Sequence, residues 1–304
     1  MYQYSAIQWL FFFYFYCFFG WIFESTYVSV KSKKFVNRGF MRGPFLPIYG
    51  SGAIMMLVVS MPFQDNIFLT YIAGCIGATA LELVTGMTME ALFKVRYWDY
   101  SNQKFNYKGH ICLSSTIAWG FLTILMTEFV HRGVEKIIFA IPYTVVSVIT
   151  VILTVYIIID FTLSFKAAMD LRDILVGLEK AKEEMERIQK RLDVIAAVVN
   201  DERETWRQEK SMRADELMES IEGKFTALRE RFRISPSDFV DEVREEITEL
   251  RSKYMIEKEH RIQFRRLKDF YQRALLKGNP TMHSKYFGEA LDELKKAVNE
   301  RKKK

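Results

Sequence analysis

Between Ala6 and Phe161 the sequence carries five apolar segments, each near the roughly 20 residues that a helix needs to cross a hydrocarbon core of about 30 Å. In lipid no water is present to satisfy the backbone, so runs of this length fold as helices that close their own hydrogen bonds. The segments are residues 6–30, 45–61, 67–93, 111–130 and 137–161. The second is the shortest, and Pro47, Gly50 and Gly52 at its start leave open a full span, a re-entrant turn or an unwound stretch. The Phe-rich beginning lacks a basic region and a small-residue cleavage site, so it reads as a retained first span and not as a cleavable signal.

The loops between the segments differ in basic charge. The first holds Lys31, Lys33, Lys34, Arg38 and Arg42 with no acid, and the third holds Lys94, Arg96, Lys104 and Lys108. The second loop, residues 62–66, has no basic residue, and the short fourth loop has Arg132 and Lys136. The positive-inside rule then expects the N-terminus outside, loops one and three in the cytosol, and the C-terminus cytosolic. Trp9, Trp21, Trp98 and Trp119 lie near span ends and suit interfacial anchoring. Gly74, Gly77, Ala78 and Ala80 on the third span are spaced for close helix packing within the chain.

A mean hydropathy near zero averages two unlike halves. Residues 1–166 hold 12 basic and 8 acidic residues of the chain's 43 and 37, leaving 31 and 29 for the remainder. That remainder is charge-mixed and not a basic arm, which argues against a nucleic-acid partner. From Leu171 its apolar residues step by threes and fours through Ile174, Leu178, Ala181, Met185, Ile188, Leu192, Ile195 and Val199, a heptad seam. Trp206, Leu217, Ile221, Phe225, Leu228 and Phe232 extend a less regular stripe. Ser235, Pro236 and Asp238 then form a helix start, with cap, Pro at the first position and an acid in the first turn. The helix they open carries Phe239, Val243, Ile247, Leu250 and Tyr254 and is expected to run to the stop at Gly278-Asn279-Pro280. A last helix carries Tyr286, Leu291, Leu294 and Val298 and frays into a disordered basic tail at residues 301–304. The fold expected is all-α: a polytopic membrane bundle of about five spans over residues 1–165, a cytosolic coiled-coil helix over 166–234, and a cytosolic helical segment over 235–304. The coiled coil offers pairing within the chain or a homo-oligomer.

The chemistry-bearing residues sit where the membrane makes them costly. Glu24 lies in the cytosolic third of the first span, Glu82 past the middle of the third, and Glu90 near that span's cytosolic end. A charge at the bilayer centre costs roughly 2.5–3.5 kcal/mol on insertion scales, so such acids face the bundle interior and find partners. Helix rise puts Glu82 about 17 Å and Glu24 about 9 Å from the cytosolic ends of their spans. Glu90 reads as structural: an ion pair, or a protonated acid hydrogen-bonded between helices. Glu82 reads equally as a working polar site or as an acid held between helices. Two glycine- and proline-punctuated loops, residues 37–50 and 98–112, interleave apolar residues with Arg, Asn and Asp, as loops folded onto a bundle do. A polar membrane site is therefore expected from Glu24, Asn37, Arg38, Arg42, Tyr49, Glu82, Trp98, Asp99, Tyr100 and Asn106, with Arg38 pairing Glu82 because a planar guanidinium suits a buried carboxylate. Cys17, Cys75 and Cys112 show no metal or disulfide spacing and read as buried packing. No P-loop, G-x-S-x-G or H-E-x-x-H motif is present, and residues 278–285 come nearest to a P-loop but lack its second glycine. No metal or cofactor is expected.

The runs Asn37-Arg38-Gly39, Gly43-Pro44 and Pro47-Ile48-Tyr49-Gly50, then Glu82 with Thr85-Gly86, Trp98-Asp99-Tyr100-Ser101, and Asn106, Gly109 and Ile111-Cys112-Leu113 together resemble the type IV ABC-transporter (CmpB-like) family of small bacterial multi-span membrane proteins. The resemblance covers about residues 5–160, and His110 stands where that pattern has Arg. It implies a permease-like component in a bacterial cell membrane that needs a separate ATPase subunit. The residues themselves leave two alternatives. One is a membrane enzyme or binding protein for an anionic lipid or lipid-linked phosphate, held by Arg38 and Arg42. The other is a scaffold or sensor acting through the coiled coil.

Overall fold

In the computed structural model the described residues are 3–209, 236–264 and 269–300. Helix α1 spans Ala6–Ser32, α2 Pro47–Ser60 and α3 Ile67–Phe93. A two-stranded antiparallel hairpin of β1 (Asn106–Tyr107) and β2 (Ile111–Cys112) pairs Asn106 with Cys112 and Tyr107 with Ile111. Helix α4 (Leu113–Leu125) continues through a π-helical turn, Met126–Val130, into α5 (His131–Phe139). The remaining helices are α6 (Tyr143–Glu209), α7 (Pro236–Phe264), α8 (Phe270–Gly278) and α9 (Gly288–Glu300).

Among the described residues, four helices are long and apolar enough to cross a membrane: Ala6–Ser32, Ile67–Phe93, Leu113–Phe139 and the Tyr143–Asp193 run of α6. The protein is a membrane-inserted helical bundle. Five expected spans become four, because Pro47–Phe63 is shorter than the rest. At 1.5 Å per residue its 14-residue α-helix is only about 21 Å long, short of the hydrocarbon core. The residues before it, 37–46, are not helical, and Leu46 N–H bonds to the Cys17 carbonyl of α1 at 3.0 Å. The expected fourth loop is also helical. Arg132 and Lys136 sit in α5, and the chain turns at residues 140–142, where Pro142 precedes α6.

The ends of the spans follow from local chemistry. Ser5 and Gln8 form a reciprocal cap on α1, Ser5 Oγ accepting from Gln8 N–H and Gln8 Oε1 from Ser5 N–H at 2.8 Å. Asn66 caps α3 by accepting from Phe68 and Leu69 N–H. Lys33 (φ 51°) and Lys94 (φ 59°) close α1 and α3 in the left-handed conformation, at the negative end of each helix dipole. Small residues on α3 serve packing within the chain: Gly74 lies against Thr123 and Gly77 against Val59. Phe12, Tyr16, Met56, Leu57, Ala78, Met126 and Val134 form the shared core. Within it the fully buried His131 ring contacts the Tyr16 hydroxyl at 2.7 Å and the Tyr4 hydroxyl at 3.1 Å. Cys17 and Cys112 are buried as expected, whereas Cys75 is part-exposed.

The chain divides into two compact units, Met1–Leu175 with Leu267–Lys304, and Val176–Arg266. In the second unit the α6 stripe is partly buried. Leu178, Ala181 and Ile188 are covered, and Arg191 pairs with Glu246 of α7 at 2.5 Å. On the seam nearer the membrane, Leu171 and Leu175 are buried where Ile174 was expected. The helix expected from Pro236 to Gly278 is two helices. Asp269 caps α8 by accepting from Tyr271 and Gln272 N–H, which starts a new helix. Leu291, Leu294 and Val298 of α9 are buried, but Tyr286 precedes that helix and is exposed. The stripe expected at 217–232 and the basic tail at 301–304 lie outside the described residues.

Candidate functional site

The polar residues gather where α1 and α3 end and both glycine-rich loops fold back. The first loop is held by its own sequence. Asn37 Oδ1 accepts from Trp21 Nε1 at 2.5 Å, its Nδ2 donates to the Arg42 carbonyl, and Arg38 N–H bonds to Ser25 Oγ. Gly43 N–H donates to the buried Asp160 carboxylate of α6 at 2.8 Å, and a Cβ there would lie 2.3 Å from the Tyr156 hydroxyl. Phe40 stacks among Phe93, Tyr97 and Phe161.

Arg38 is thereby aimed into the bundle, and it pairs with Glu24 at 3.3 Å rather than with Glu82. Its other donors go to Asn279 Oδ1 at 2.7 Å, the Gly278 and Tyr97 carbonyls, and Thr281 Oγ1. Five N–H groups therefore have five acceptors. The second Glu24 oxygen accepts from the Tyr49 hydroxyl at 2.7 Å.

Glu82 is buried, 6 % exposed, and is met by three neutral donors. Tyr100 hydroxyl donates to Oε1 at 2.9 Å, Trp119 Nε1 to Oε2 at 2.9 Å, and Ser115 Oγ to Oε2 at 3.4 Å. Trp119 and Ser115 belong to α4, so the sequence reading missed two of the three groups on this carboxylate. Trp119 suited an interfacial anchor, and only a register for α4 against α3 would have revealed its other use. Both acids bear on Tyr100: burial, and then the negative charge of Glu82 with a lesser part from Glu24, pushes its phenol up from its ordinary value.

A second charged group lies beside this one. Arg96 pairs with Glu90 at 2.7 Å and Asp99 at 3.4 Å, and His110 Nε2 lies 3.1 Å from Glu90. Of the two structural readings left open for Glu90, the ion pair is the one present, with His110 as a second partner. Burial, then the charge of Arg96, holds the His110 imidazole below its ordinary value. Asp99 shapes the second loop by accepting from Ser101 N–H and Oγ. Burial opposes its ionisation, but the Ser101 hydrogen bonds and the nearby His283 and Arg96 hold its carboxyl below the usual range. Gly109 has φ +76°, and a Cβ there would lie 2.3 Å from Asp99 Oδ1, so this turn needs glycine.

Of the ten residues expected at one site, Glu24, Arg38 and Tyr49 form one cluster and Glu82 with Tyr100 another. Asn37 orients Arg38 without touching either acid. Trp98 donates to the His110 carbonyl, and Asp99 faces Arg96 and His283. Asn106 bonds only within its exposed loop, to the Ser101 and Gln103 carbonyls and Gly109 N–H. Arg42 stacks on the Phe270 ring at 3.9 Å, so it belongs to neither cluster.

Residues 278–287 complete the site from far along the chain. Asn279, 1 % exposed, also donates to the Gly39 carbonyl at 2.8 Å, and a Cβ on Gly278 would lie 2.5 Å from the Asn37 carbonyl oxygen. Arg96 and His283 exchange backbone hydrogen bonds at 2.8 and 3.0 Å, and Ser284 Oγ donates to the Lys94 carbonyl at 2.6 Å. His283 Nε2 lies 3.0 Å from Asp99 Oδ2 without hydrogen-bond alignment. Lys295 of α9 donates to the Pro280 and Met282 carbonyls. The stretch nearest to a P-loop in sequence is thus a docking turn on Arg38.

A family model described as "Putative ABC-transporter type IV" matches residues 11–165. No curated protein and no solved structure matches the chain.

Proposed function

Because the chain belongs to the type IV ABC-transporter family, we propose that it serves as a permease-like membrane component that works with a separate ATPase subunit. The observation that carries this reading is the family match over residues 11–165, joined to the lack of a P-loop motif in these 304 residues. In this reading the N-terminus is outside, the loop end of the bundle and the C-terminal helices are cytosolic, and the membrane is a bacterial cell membrane. The clusters at Glu24–Arg38–Tyr49 and Glu82–Tyr100 are the polar site that handles a substrate group entering from the cytosolic side. The α6 stripe that begins after residue 166 is a coiled-coil surface through which copies of the chain associate.

A part-buried acid on α1 and a buried acid on α3, each with a loop residue bound to it, support a site that moves when the loops move. The reading as a binder of anionic lipid or lipid-linked phosphate is weaker, because every Arg38 donor is already occupied and Arg42 is stacked on Phe270. A scaffold role would use the α6 stripe alone and leave Glu24 and Glu82 without a task. The test is the mass of everything that copurifies from native membranes in mild detergent. A stoichiometric ATP-hydrolysing subunit is expected. Stoichiometric lipid with no ATPase would favour the second reading instead.

A further inference from the structure

We propose that Glu82 is a proton-binding site that loads and empties through Tyr100. The case starts from the geometry of its two oxygens. Oε2 is taken by Trp119 Nε1, which can only donate, and by Ser115. A proton on Glu82 therefore belongs on Oε1, the oxygen facing Tyr100. When Glu82 is ionised the phenol donates to it. When Glu82 is neutral the same contact reverses, and Oε1–H donates to the phenol oxygen.

Glu24 and Glu82 differ in what neutralises them. Glu24 has the permanent charge of Arg38 beside it. Among the described residues no Lys, Arg or His lies within ion-pairing distance of Glu82. A buried carboxylate without a countercation is the kind of group that changes protonation instead of keeping its charge. The groups facing it from the neighbouring elements are few. Helix α4 offers Ser115 and Trp119, and β2 offers Cys112, whose Sγ is bonded to Ser114. The loop offers Tyr100. Beyond Tyr100 lie Tyr49 of α2 and Glu24 of α1, the latter already paired with Arg38.

Tyr100 also has the right position for a relay. It is half-buried, while residues 101–108 after it are exposed. Its phenol is pushed up by burial and by Glu82, so it passes a proton without resting as a phenolate. The step balances as one proton taken from hydronium, which leaves water: the Tyr100 O–H bond breaks as the Glu82 Oε1–H bond forms, and the phenol oxygen recovers a proton from hydronium on the solvent side. Loading reverses the Tyr100 contact, so protonation of a transmembrane acid is mechanically tied to the loop that carries Asp99 and binds His283.

This inference rests on reading the loop-end clusters as a working polar site, but its test needs neither transport nor ATP. Full-length protein in nanodiscs is followed by infrared difference spectroscopy after a drop in pH. The carbonyl band of a protonated carboxylic acid should appear in the native protein and be missing from Glu82→Gln. Glu82→Asp should move the band without removing it, which keeps the assignment testable if the amide variant folds poorly. Tyr100→Phe should slow the band's appearance by about a hundredfold, the scale of a lost positioned proton carrier. A band that is absent, insensitive to pH or retained in Glu82→Gln overturns the site. A native rate in Tyr100→Phe overturns the route. Either failure leaves the permease reading standing, since the copurifying ATPase decides that separately.

Discussion

Arg38 and Asn279 are 241 positions apart in sequence, and a 2.7 Å hydrogen bond joins them. The arginine of the first loop is thus bound by an acid of its own span and by a turn from the far end of the chain. The C-terminal segment forms one compact unit with the membrane bundle.

The pairing of Arg38 with Glu24 predicts a specific pattern of coupling. Either Arg38→Gln or Glu24→Gln leaves a part-buried partner uncompensated and should destabilise the protein by about 3 kcal/mol. The double variant should recover part of that loss, a coupling on the order of 1–3 kcal/mol. Arg38 and Glu82 share no hydrogen-bond partner, so Arg38→Gln with Glu82→Gln should be additive within about 0.5 kcal/mol. Denaturation in mild detergent reads the three single and two double variants, and strong coupling between Arg38 and Glu82 would contradict the geometry.

Gly278→Ala tests the docking turn. The new methyl group would face the Asn37 carbonyl oxygen at 2.5 Å, a backbone atom that cannot step aside cheaply. Residues 279–287 should then become cleavable by protease under conditions where the native chain resists. The α3 helix should be unaffected. Unchanged resistance would mean that the turn tolerates the methyl group and that the close approach is unimportant.

The His110 imidazole gives a pH dependence with a definite sign. Its folded-state value is lowered, so the unfolded chain binds the proton more readily. The stability that His110 supports is then present above the ordinary histidine value of 6.5 and lost as pH falls below it. Asp99, also lowered, loses its contribution only at more acidic pH, below its ordinary 3.8. Thermal stability should therefore fall as pH drops between these two values in the native protein, and fall less in His110→Gln. An identical slope in the variant would assign the dependence elsewhere.

Two substitutions test orientation. In a background lacking Cys17, Cys75 and Cys112, a cysteine at Gln64 should react with an impermeant reagent on intact cells. One at Lys104 should be protected until the membrane is opened. Both side chains are exposed, and they flank opposite ends of α3. Reversal of the two results would invert the proposed topology.

Much of this architecture is legible in sequence because the membrane imposes long apolar runs. The third segment coincides with α3 at Ile67–Phe93. The fourth was cut short because Arg132 and Lys136 look like a loop, yet an amphipathic helix carries them on its exposed side while His131, Val134 and Ile138 are buried. The acids were legible because charge in an apolar run is costly. Their partners were less so. The expected pairing of Arg38 with Glu82 gives way to Glu24 because Ser25, next to Glu24, fixes the Arg38 backbone. The Asn279 and His283 contacts are tertiary and leave no periodic trace.

The α6 stripe makes a prediction for the full chain. Ile188→Asp with Leu192→Asp puts charge where Ile188 is 5 % exposed. The particle mass measured by light scattering in detergent should fall if copies associate through this seam. An unchanged mass, together with lower stability, would show that the stripe serves only packing within the chain.

The central claim is tested most directly by ATP hydrolysis in the complex purified with its ATPase and placed in nanodiscs. Native protein, Arg38→Gln and Glu82→Gln are compared at equal assembly, judged by subunit stoichiometry. The account predicts hydrolysis by the native complex and a change of about tenfold, or about 1.4 kcal/mol, when either residue of the polar site is altered. Hydrolysis that is absent in the native complex, or unchanged in both fully assembled variants, would contradict it.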